Sequence, residues 1–406
     1  MKGSKPETQM NCYDDEFLYT ENVPVFWNNR TNEADNNNNG LIADQYNRVM
    51  GRLERYSRIR KASFLSWGTK SNGENYMLIR TQKNSSPKAT TETDQVYRVS
   101  LLDQPSSEDS ISLGIFSASH QSTTIEQITF YEDAIHNALV CPSCQGKHSN
   151  MMVFQKDTRG NERYQIFLQE VEQPVAPTPR LLTDGKSRHT KVVWNKQGTQ
   201  IAFGSTERTG KDRDVVCFSL DPLIEKSQRQ ILVKEGGSWD AVSWSYDGKY
   251  LLVRKYVSIN ESSLYIINVS NGNMVRFEPE PRRTADDDDL HGLVATPMAE
   301  WTLTADRSTN KYGILYATDQ SSSHLQLKYV ELDENLICVP MSCRTITHDI
   351  PWSVSNILVP PAACASQMYC RNTVFFVTNE GGYSMLYALD MATFLRRKLI
   401  VYPRNA

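Results

Sequence analysis

The sequence predicts an all-β protein, and more specifically a β-propeller of about six to seven four-stranded blades, preceded by a short helical segment. Two observations carry this prediction. Short runs rich in Val, Ile, Phe, Tyr and Trp, separated by clusters of Gly, Asn, Asp and Ser, fill residues 57–402, a pattern typical of strands and turns. A strand–turn–strand unit also repeats along the chain, which indicates a repeat architecture.

The first 56 residues differ from the rest and are predicted to form an N-terminal extension. Residues 36–39 are four consecutive asparagines, which indicate a low-complexity loop. From Leu41 to Tyr56, apolar residues recur at three- and four-residue steps, a spacing that predicts an amphipathic helix. The predicted domains are therefore this extension at 1–56 and a propeller at 57–402. Only six repeat units are counted, so the predicted ring lacks one blade if the propeller has seven.

The repeat is clearest in two neighbouring units. Val192–Phe203 matches Val242–Val253 at an offset of 50 residues, and both segments follow the order strand, turn with glycine, strand. Weaker copies begin near residues 76, 152, 314 and 374, which gives six units in all. A lone four-stranded sheet exposes both faces, whereas radial stacking of blades buries them. The tryptophans expected at one equivalent inner-strand position, packed between blades, are Trp67, Trp194, Trp244 and Trp301.

The ordered series of blade motifs resembles the N-terminal β-propeller of the prolyl oligopeptidase-type serine peptidases, and most closely the dipeptidyl-peptidase and acylaminoacyl-peptidase branch. The segments that carry the resemblance are Gly160–Glu162, Leu181–Gly185, Ser187–Trp194, Gly210–Asp214, Gly236–Asp240, Asp247–Lys249, Asp349–Trp352 and Thr378–Ser384. The resemblance covers residues 120–402 well and 57–119 poorly. It implies a domain that covers a peptidase active site and restricts access to short or unfolded peptides.

Members of that family carry a catalytic α/β-hydrolase domain after the propeller, with a Ser-Asp-His triad. This sequence ends soon after its last predicted strand and contains no G-x-S-x-G motif, the turn that presents the nucleophile in such hydrolases. No catalytic, cofactor-binding or metal-binding residue is therefore predicted, and no cofactor is expected. The sequence predicts a substrate-gating propeller truncated before the catalytic domain and not catalytic by itself. The alternative is a free-standing protein-interaction propeller.

One substrate-side candidate follows from the resemblance. Glu162, which follows Gly160 and Asn161, matches an acidic loop position of the family's blade. In dipeptidyl-peptidases, acidic groups of the propeller can hold the free amino terminus of the substrate, because a carboxylate forms strong charge-assisted hydrogen bonds with an ammonium group. The competing interpretation of Glu162 is a carboxylate that only stabilises its own turn.

Two other clusters favour a structural interpretation. Cys141, Cys144 and His148 supply three candidate zinc ligands, whereas a structural zinc site normally has four, so an inert surface turn is the favoured interpretation. Asp286–Asp289 are four consecutive carboxylates without the alternating ligands and glycine of a calcium loop. They therefore indicate a solvated acidic run.

Composition limits the partners and the location. The chain has 44 Lys+Arg against 47 Asp+Glu and a net charge of −3 at pH 7, which argues against binding nucleic acid or a membrane surface through bulk charge. The sequence has no long apolar stretch typical of a transmembrane helix and no apolar signal-peptide core near Met1, so a cytoplasmic location is predicted. The expected partner is a peptide or a protein. Association through an unclosed propeller seam is a further expectation.

Overall fold

The computed structural model describes residues 62–82, 93–100, 125–143, 146–172, 178–220, 229–279, 293–303, 312–360 and 373–399. All of them belong to one compact unit, Arg60–Ala406. They form six four-stranded antiparallel sheets, each built from strands consecutive in the chain. The predicted all-β propeller is thus confirmed with six blades, and a seventh is absent from the described residues. The predicted helix at 41–56 and the acidic run at 286–289 lie outside them.

The strands follow one another in a simple order. Blade 1 contains β1 (Ser63–Thr69), β2 (Asn75–Thr81), β3 (Gln95–Ser100) and β4 (Ile125–Gln127). Blade 2 contains β5 (Ile135–Val140), β6 (Met151–Lys156), β7 (Gln165–Glu170) and β8 (Arg180–Leu181). Blade 3 contains β9 (His189–Trp194), β10 (Gln200–Ser205), β11 (Asp214–Ser219) and β12 (Arg229–Val233).

The second half of the chain repeats the arrangement. Blade 4 contains β13 (Ser238–Trp244), β14 (Tyr250–Ser258), β15 (Glu261–Asn268) and β16 (Met274–Arg276). Blade 5 contains β17 (Met298–Leu303), β18 (Tyr312–Thr318), β19 (Gln326–Leu332) and β20 (Arg344–Thr345), with a 3-10 turn at Pro340–Ser342. Blade 6 contains β21 (Val354–Leu358), β22 (Thr373–Glu380), β23 (Tyr383–Asp390) and β24 (Arg396–Lys398).

Buried apolar clusters join successive blades, as radial stacking requires. Five such clusters lie between blades 1 and 2, 2 and 3, 3 and 4, 4 and 5, and 5 and 6. Within the described part of the chain, no such cluster joins blade 6 to blade 1. Alternating apolar residues of the middle strands contribute to all five clusters, so each blade presents one row of side chains to each neighbour.

The four predicted tryptophans lie in the last three residues of the first strand of their blades. Trp194, Trp244 and Trp301 are 7%, 1% and 3% exposed, and each belongs to the cluster shared with the preceding blade. The indole nitrogens of Trp194 and Trp301 donate to backbone oxygens of that blade, Leu139 and Ser243 respectively, at 3.1 Å. The expectation of packing between blades is confirmed for these three.

The corresponding tryptophan of blade 1 departs from that expectation. Trp67 is 40% exposed, and Phe64, whose ring centroid lies 4.9 Å away, is 41% exposed. The blade preceding Trp67 around a closed ring is blade 6, and among the described residues the two blades share no buried cluster. Tyr97 of β3 faces the same side of blade 1 and is buried. The solvent-exposed part of that side is therefore limited to the two inner strands.

Candidate functional site

The first strand of each blade defines the wall of the central channel. β1, β5, β9, β13, β17 and β21 each stand at one end of their sheet and pair with only one strand of it. First strands of neighbouring blades also approach one another, β1 with β5, β9 with β13, β13 with β17, and β17 with β21. These strands therefore lie innermost, and their free edges face the axis.

Five of these six inner strands contain a β-bulge opposite the second strand of the blade, whereas β17 pairs without interruption. A bulge inserts an unpaired residue and redirects its side chain. The inner-strand residues skipped in the register are Leu65, His136, Val242 and Ser355, together with both Lys191 and Val192 in β9. Val192 is buried, whereas Lys191 and Ser355 are exposed. Leu65 and Val242 pack against the buried clusters between blades, so the bulges at Lys191 and Ser355 are the ones that expose a polar side chain on an inner strand.

Lys191 is the cationic member of this set. Its backbone is left-handed, with a φ of 49°, a conformation that costs a non-glycine residue free energy. The side chain is exposed, and its ammonium group forms no ion pair within the described residues. The bulge therefore holds an exposed positive charge on an inner strand, near enough to Asp240 to help lower the pKa of that carboxylate.

A buried ion-pair network fixes the wall beside Lys191. Asp240 on β13 is 1% exposed, and its two carboxylate oxygens lie 2.9 Å from Nη1 of Arg213 and 2.8 Å from Nη2 of Arg254. Burial alone would raise the pKa of Asp240, but the charges of the two arginines hold this pKa below its ordinary value. Arg254 also donates to the backbone oxygen of Pro297 at 3.1 Å, so the network links blades 3, 4 and 5.

The predicted substrate-side residue, Glu162, lies in the loop between β6 and β7. Its backbone φ is 56°, and its N–H donates to the carboxylate of Asp157 at 2.7 Å. The carboxylate of Glu162 is exposed and lies 3.8 Å from Nη1 of Arg188. The backbone of Glu162 is thus held by Asp157, while its own carboxylate is not needed for that turn.

The loop that carries Glu162 reaches the channel wall through stacked rings. Arg188 lies over the ring of Tyr164, with its guanidinium carbon 5.8 Å from the ring centroid. Tyr164 in turn stacks on His136, the bulge residue of β5, at 4.2 Å between centroids. Glu162, Arg188, Tyr164 and His136 form a continuous group, which we call the blade 2 entry cluster.

Glu300 contributes an anionic group on β17. Its carboxylate accepts a hydrogen bond of 2.6 Å from the hydroxyl of Ser243 on the neighbouring blade. Burial raises the pKa of Glu300, whereas the charge of Lys196 and this hydrogen bond lower it by less. Glu300 and Lys191 therefore place opposite charges on inner strands of blades 5 and 3.

Two groupings of serine and histidine resemble catalytic pairs in composition but not in geometry. Ser187 donates to Asp184 at 2.6 Å, and Asp184 also contacts Nε2 of His189 at 3.1 Å. The carboxylate therefore lies between the serine and the histidine, whereas nucleophilic catalysis needs the histidine between them.

The second grouping is the pair Ser322 and His324. The hydroxyl of Ser322 lies 3.0 Å from Nδ1 and 3.4 Å from Nε2 of His324. An oxygen in the ring plane would be much nearer to one nitrogen than to the other, so the hydroxyl lies over the ring face. A base receives a proton along its in-plane lone pair, and this pair is therefore not a nucleophile and its base.

The cysteine motif also differs from its prediction. Cys141 is 5% exposed and belongs to the cluster between blades 2 and 3, where its Sγ lies against Gly198. Burial raises its pKa to about 11. The expected surface turn is therefore wrong for Cys141, which is a packing residue, while Cys144 lies outside the described residues. Among the residues that the structure describes, no three His, Cys, Asp or Glu side chains are grouped to hold a metal ion.

Sequence reasoning missed Lys191 and the role of Asp240. Lys191 follows a strand pattern that does not show where a bulge occurs. Asp240 had a visible signal, because it is a carboxylate inside the apolar segment Trp239–Val242, and a buried charge requires a partner. Its arginine partners lie 27 residues before it and 14 residues after it, so only the fold identifies them.

Comparisons with known proteins support the fold alone. No protein-family model matches the sequence, and no curated protein matches it. Prolyl oligopeptidase B from Galerina marginata is 10% identical with a TM-score of 0.53, over 89% of this chain and 47% of that one. A prolyl endopeptidase is 11% identical with a TM-score of 0.51, over 84% of this chain and 43% of that one. TolB from Acinetobacter baumannii gives 14% identity and a TM-score of 0.41, over 63% and 53%.

The class of protein follows from the fold. The described residues form a six-bladed propeller similar to the propeller of prolyl oligopeptidases, and the chain spans less than half the length of the two prolyl peptidases compared. In the described portion of the chain, no helix is long and apolar enough to cross a membrane.

Proposed function

We propose that this propeller is a substrate-gating domain of the prolyl oligopeptidase type, which binds peptide chains at its channel and limits access to a catalytic site. The observation that carries the proposal is a pair of oppositely charged groups near the inner strands, namely the exposed ammonium group of Lys191 on β9 and the exposed carboxylate of Glu162 in the blade 2 entry cluster. A peptide has one ammonium group and one carboxylate at its ends, so Glu162 and Lys191 match its two termini in charge. The proposal assigns the hydrolysis itself to a domain outside the described residues.

Within this proposal, Glu162 receives the free amino terminus of the peptide, as in the dipeptidyl-peptidase branch. Its exposed carboxylate and the 3.8 Å separation from Arg188 support this role, because a loosely paired carboxylate can exchange one cation for another. Lys191 receives a carboxylate. We further propose a cytoplasmic location and a peptide or protein partner rather than nucleic acid or membrane.

The test compares peptides that differ only at the amino terminus. Fluorescent octapeptides with a free or an acetylated amino group are titrated against the full chain, and binding is followed by anisotropy. Free peptides should bind more tightly, and Glu162→Gln should remove about 1–2 kcal/mol of binding free energy from the free peptide only. Glu207→Gln is the matched control. Glu207 lies in the corresponding loop of blade 3, where it pairs with Arg229 of the same blade. If Glu162→Gln weakened the binding of both peptides equally, Glu162 would act through its ion pair with Arg188 and not by binding the amino terminus.

A second candidate function is the free-standing interaction propeller. The observation that favours it is a set of exposed apolar side chains in the segments before the fourth strands of blades 5 and 6, namely Ile337, Met341 and Leu395, which are 60%, 94% and 73% exposed. Large apolar side chains that cluster on a surface indicate a contact with another protein. Under this alternative, the octapeptides above should not bind to the channel.

A further inference from the structure

The outer strands of blades 4, 5 and 6 share a local design. In each blade an inward-packed tyrosine of the third strand pairs with a cationic residue of the fourth strand. The three pairs are Tyr265 with Arg276, Tyr329 with Arg344, and Tyr387 with Lys398. Repeated placement of the same two residue types makes the three blades direct controls for one another.

In two of these blades the cation has an acidic partner. Arg276 lies over the Tyr265 ring and 3.0 Å from the carboxylate of Glu278. Lys398 lies over the Tyr387 ring and 2.8 Å from the carboxylate of Glu380. In blades 4 and 6, therefore, the positive charge is already compensated within the blade.

Blade 5 lacks this compensation. Arg344 is exposed, and no carboxylate of the described residues forms an ion pair with it. Its guanidinium carbon instead lies 4.9 Å from the ring centroid of Phe394, which belongs to the next blade. A guanidinium stacked on a ring keeps its N–H groups free at the edge, where they can bind a carboxylate in a bidentate manner.

Phe394 occupies a backbone position that suits glycine. In blade 4, Gly272 has a φ of 74° and its N–H donates to the oxygen of Asn268 at 2.8 Å. Phe394 has a φ of 58° and makes the same bond to Asp390 at 2.7 Å. A bulky residue in this left-handed conformation is strained, and such strain is often associated with a binding role. Its ring lies 4.9 Å from that of Tyr329.

These residues line a groove of about 400 Å³ between blades 5 and 6, a volume within the usual range for ligand sites. Phe394 gives it an aromatic surface that is backed by the buried Tyr329, and Arg344 and Glu331 supply one charge of each sign. Met341, which is 94% exposed, stands at the rim, and a methionine there adapts to varied apolar surfaces. The groove therefore combines an aromatic surface with a cation that lacks a partner.

We propose that this groove binds the carboxyl-terminal residue of a partner protein, with a large apolar side chain against Phe394 and the terminal carboxylate on Arg344. The guanidinium of Arg344 and the ring of Phe394 are only 4.9 Å apart, so a ligand that contacts both must carry a carboxylate close to an apolar group. A carboxyl-terminal residue carries both groups on one Cα. Glu331 accepts the N–H of that residue. The groove is separate from the channel, so this proposal does not depend on peptide binding there.

The probe for this proposal is N-acetyl-L-phenylalanine, with N-acetyl-L-phenylalaninamide as the matched compound without a carboxylate. The full chain has 12 methionines, whose methyl groups are labelled with ¹³C, and the Met341 signal is assigned with Met341→Leu. The acid should shift the Met341 signal in a saturable manner, and the amide should bind about tenfold more weakly. The buried Met385 and Met391 report that the fold is intact.

Two variants complete the test. Arg344→Met should weaken binding of the acid about tenfold, or about 1.4 kcal/mol, and leave binding of the amide unchanged. Arg276→Met, at the equivalent position of blade 4, should change neither. An unmoved Met341 signal, equal affinity for acid and amide, or equal effects of the two variants would each overturn the proposal. N-acetyl-L-aspartate phenethylamide tests an internal acidic side chain, and tighter binding of this compound than of the acid would also overturn it.

Discussion

Trp244 and Trp67 occupy the same position in two blades and have different environments. Trp244 is 1% exposed in the cluster between blades 3 and 4, whereas Trp67 is 40% exposed on the side of blade 1 that would meet blade 6. Their hairpins pair in the same way, Trp244 with Leu251 and Trp67 with Met77. The repeat thus determines where the side chain is placed, and only the neighbouring blade determines whether it is covered.

The same contrast extends to charge. The interface of blades 3 and 4 contains Asp240 between two arginines, and a buried carboxylate can be tolerated only with such partners. Among the described residues of blades 1 and 6, no comparable ion pair links the two blades. From the exposure of Trp67 and Phe64 on the side of blade 1 that would meet blade 6, we propose that the junction of blades 6 and 1 is more weakly packed than the junction of blades 3 and 4.

The largest expected effect concerns the two tryptophans. Trp244→Ala should lower the free energy of unfolding by about 4 kcal/mol, because it removes a fully buried aromatic side chain and leaves a cavity. Trp67→Ala should cost about 1 kcal/mol or less, since much of that side chain already contacts water. Urea denaturation of both variants measures the difference. Similar losses would mean that blade 1 is covered as well as blade 4.

A smaller effect is expected from the buried ion pairs. Asp240→Asn should cost about 3 kcal/mol, because it leaves two arginines beside a neutral group in a buried site. Asp349→Asn is the matched control, since Asp349 pairs with Arg396 at the surface of blades 5 and 6 and exposed pairs contribute less than about 1 kcal/mol. If both variants unfold at the same urea concentration, the network does not hold blades 3 and 4 together.

The smallest effect depends on pH. Burial lowers the pKa of His189 below the ordinary 6.5, against the opposing hydrogen bond to Asp184. A depressed pKa means that the unfolded chain binds the proton more readily, so the stability contribution is complete above pH 6.5 and is lost as pH falls through the folded-state pKa. The urea midpoint should fall between pH 7.5 and 5.5, and fall less in His189→Gln. An equal fall in both proteins would show that His189 is not the titrating group.

Much of the fold was predictable from residues near one another in sequence. The hairpins around Trp194 and Trp244 follow from apolar runs separated by turn residues, and their repetition implies stacked blades. Six blades match the six units. What could not be predicted is the exposure of Trp67, because it depends on a blade that lies some 300 residues away in the chain.

The site was predicted less completely than the fold. Glu162 was identified only through resemblance, and the structure adds the cluster of Arg188, Tyr164 and His136 that links it to the channel wall. Lys191 depends on a bulge, whose position is decided by pairing with β10 rather than by its own sequence. Such details arise from tertiary contacts, which override local preference.

The most direct test of the account is hydrogen exchange of the inner strands in the full chain. The amides of β1 and β21 that pair with β2 and β22 should exchange through a local opening of lower free energy than those of β9 and β13, since the least covered regions open first. The expected order of protection is β13 and β9 above β17, with β1 and β21 lowest. Equal protection of all six inner strands, up to the global unfolding free energy, would contradict the proposal of a weak junction between blades 6 and 1.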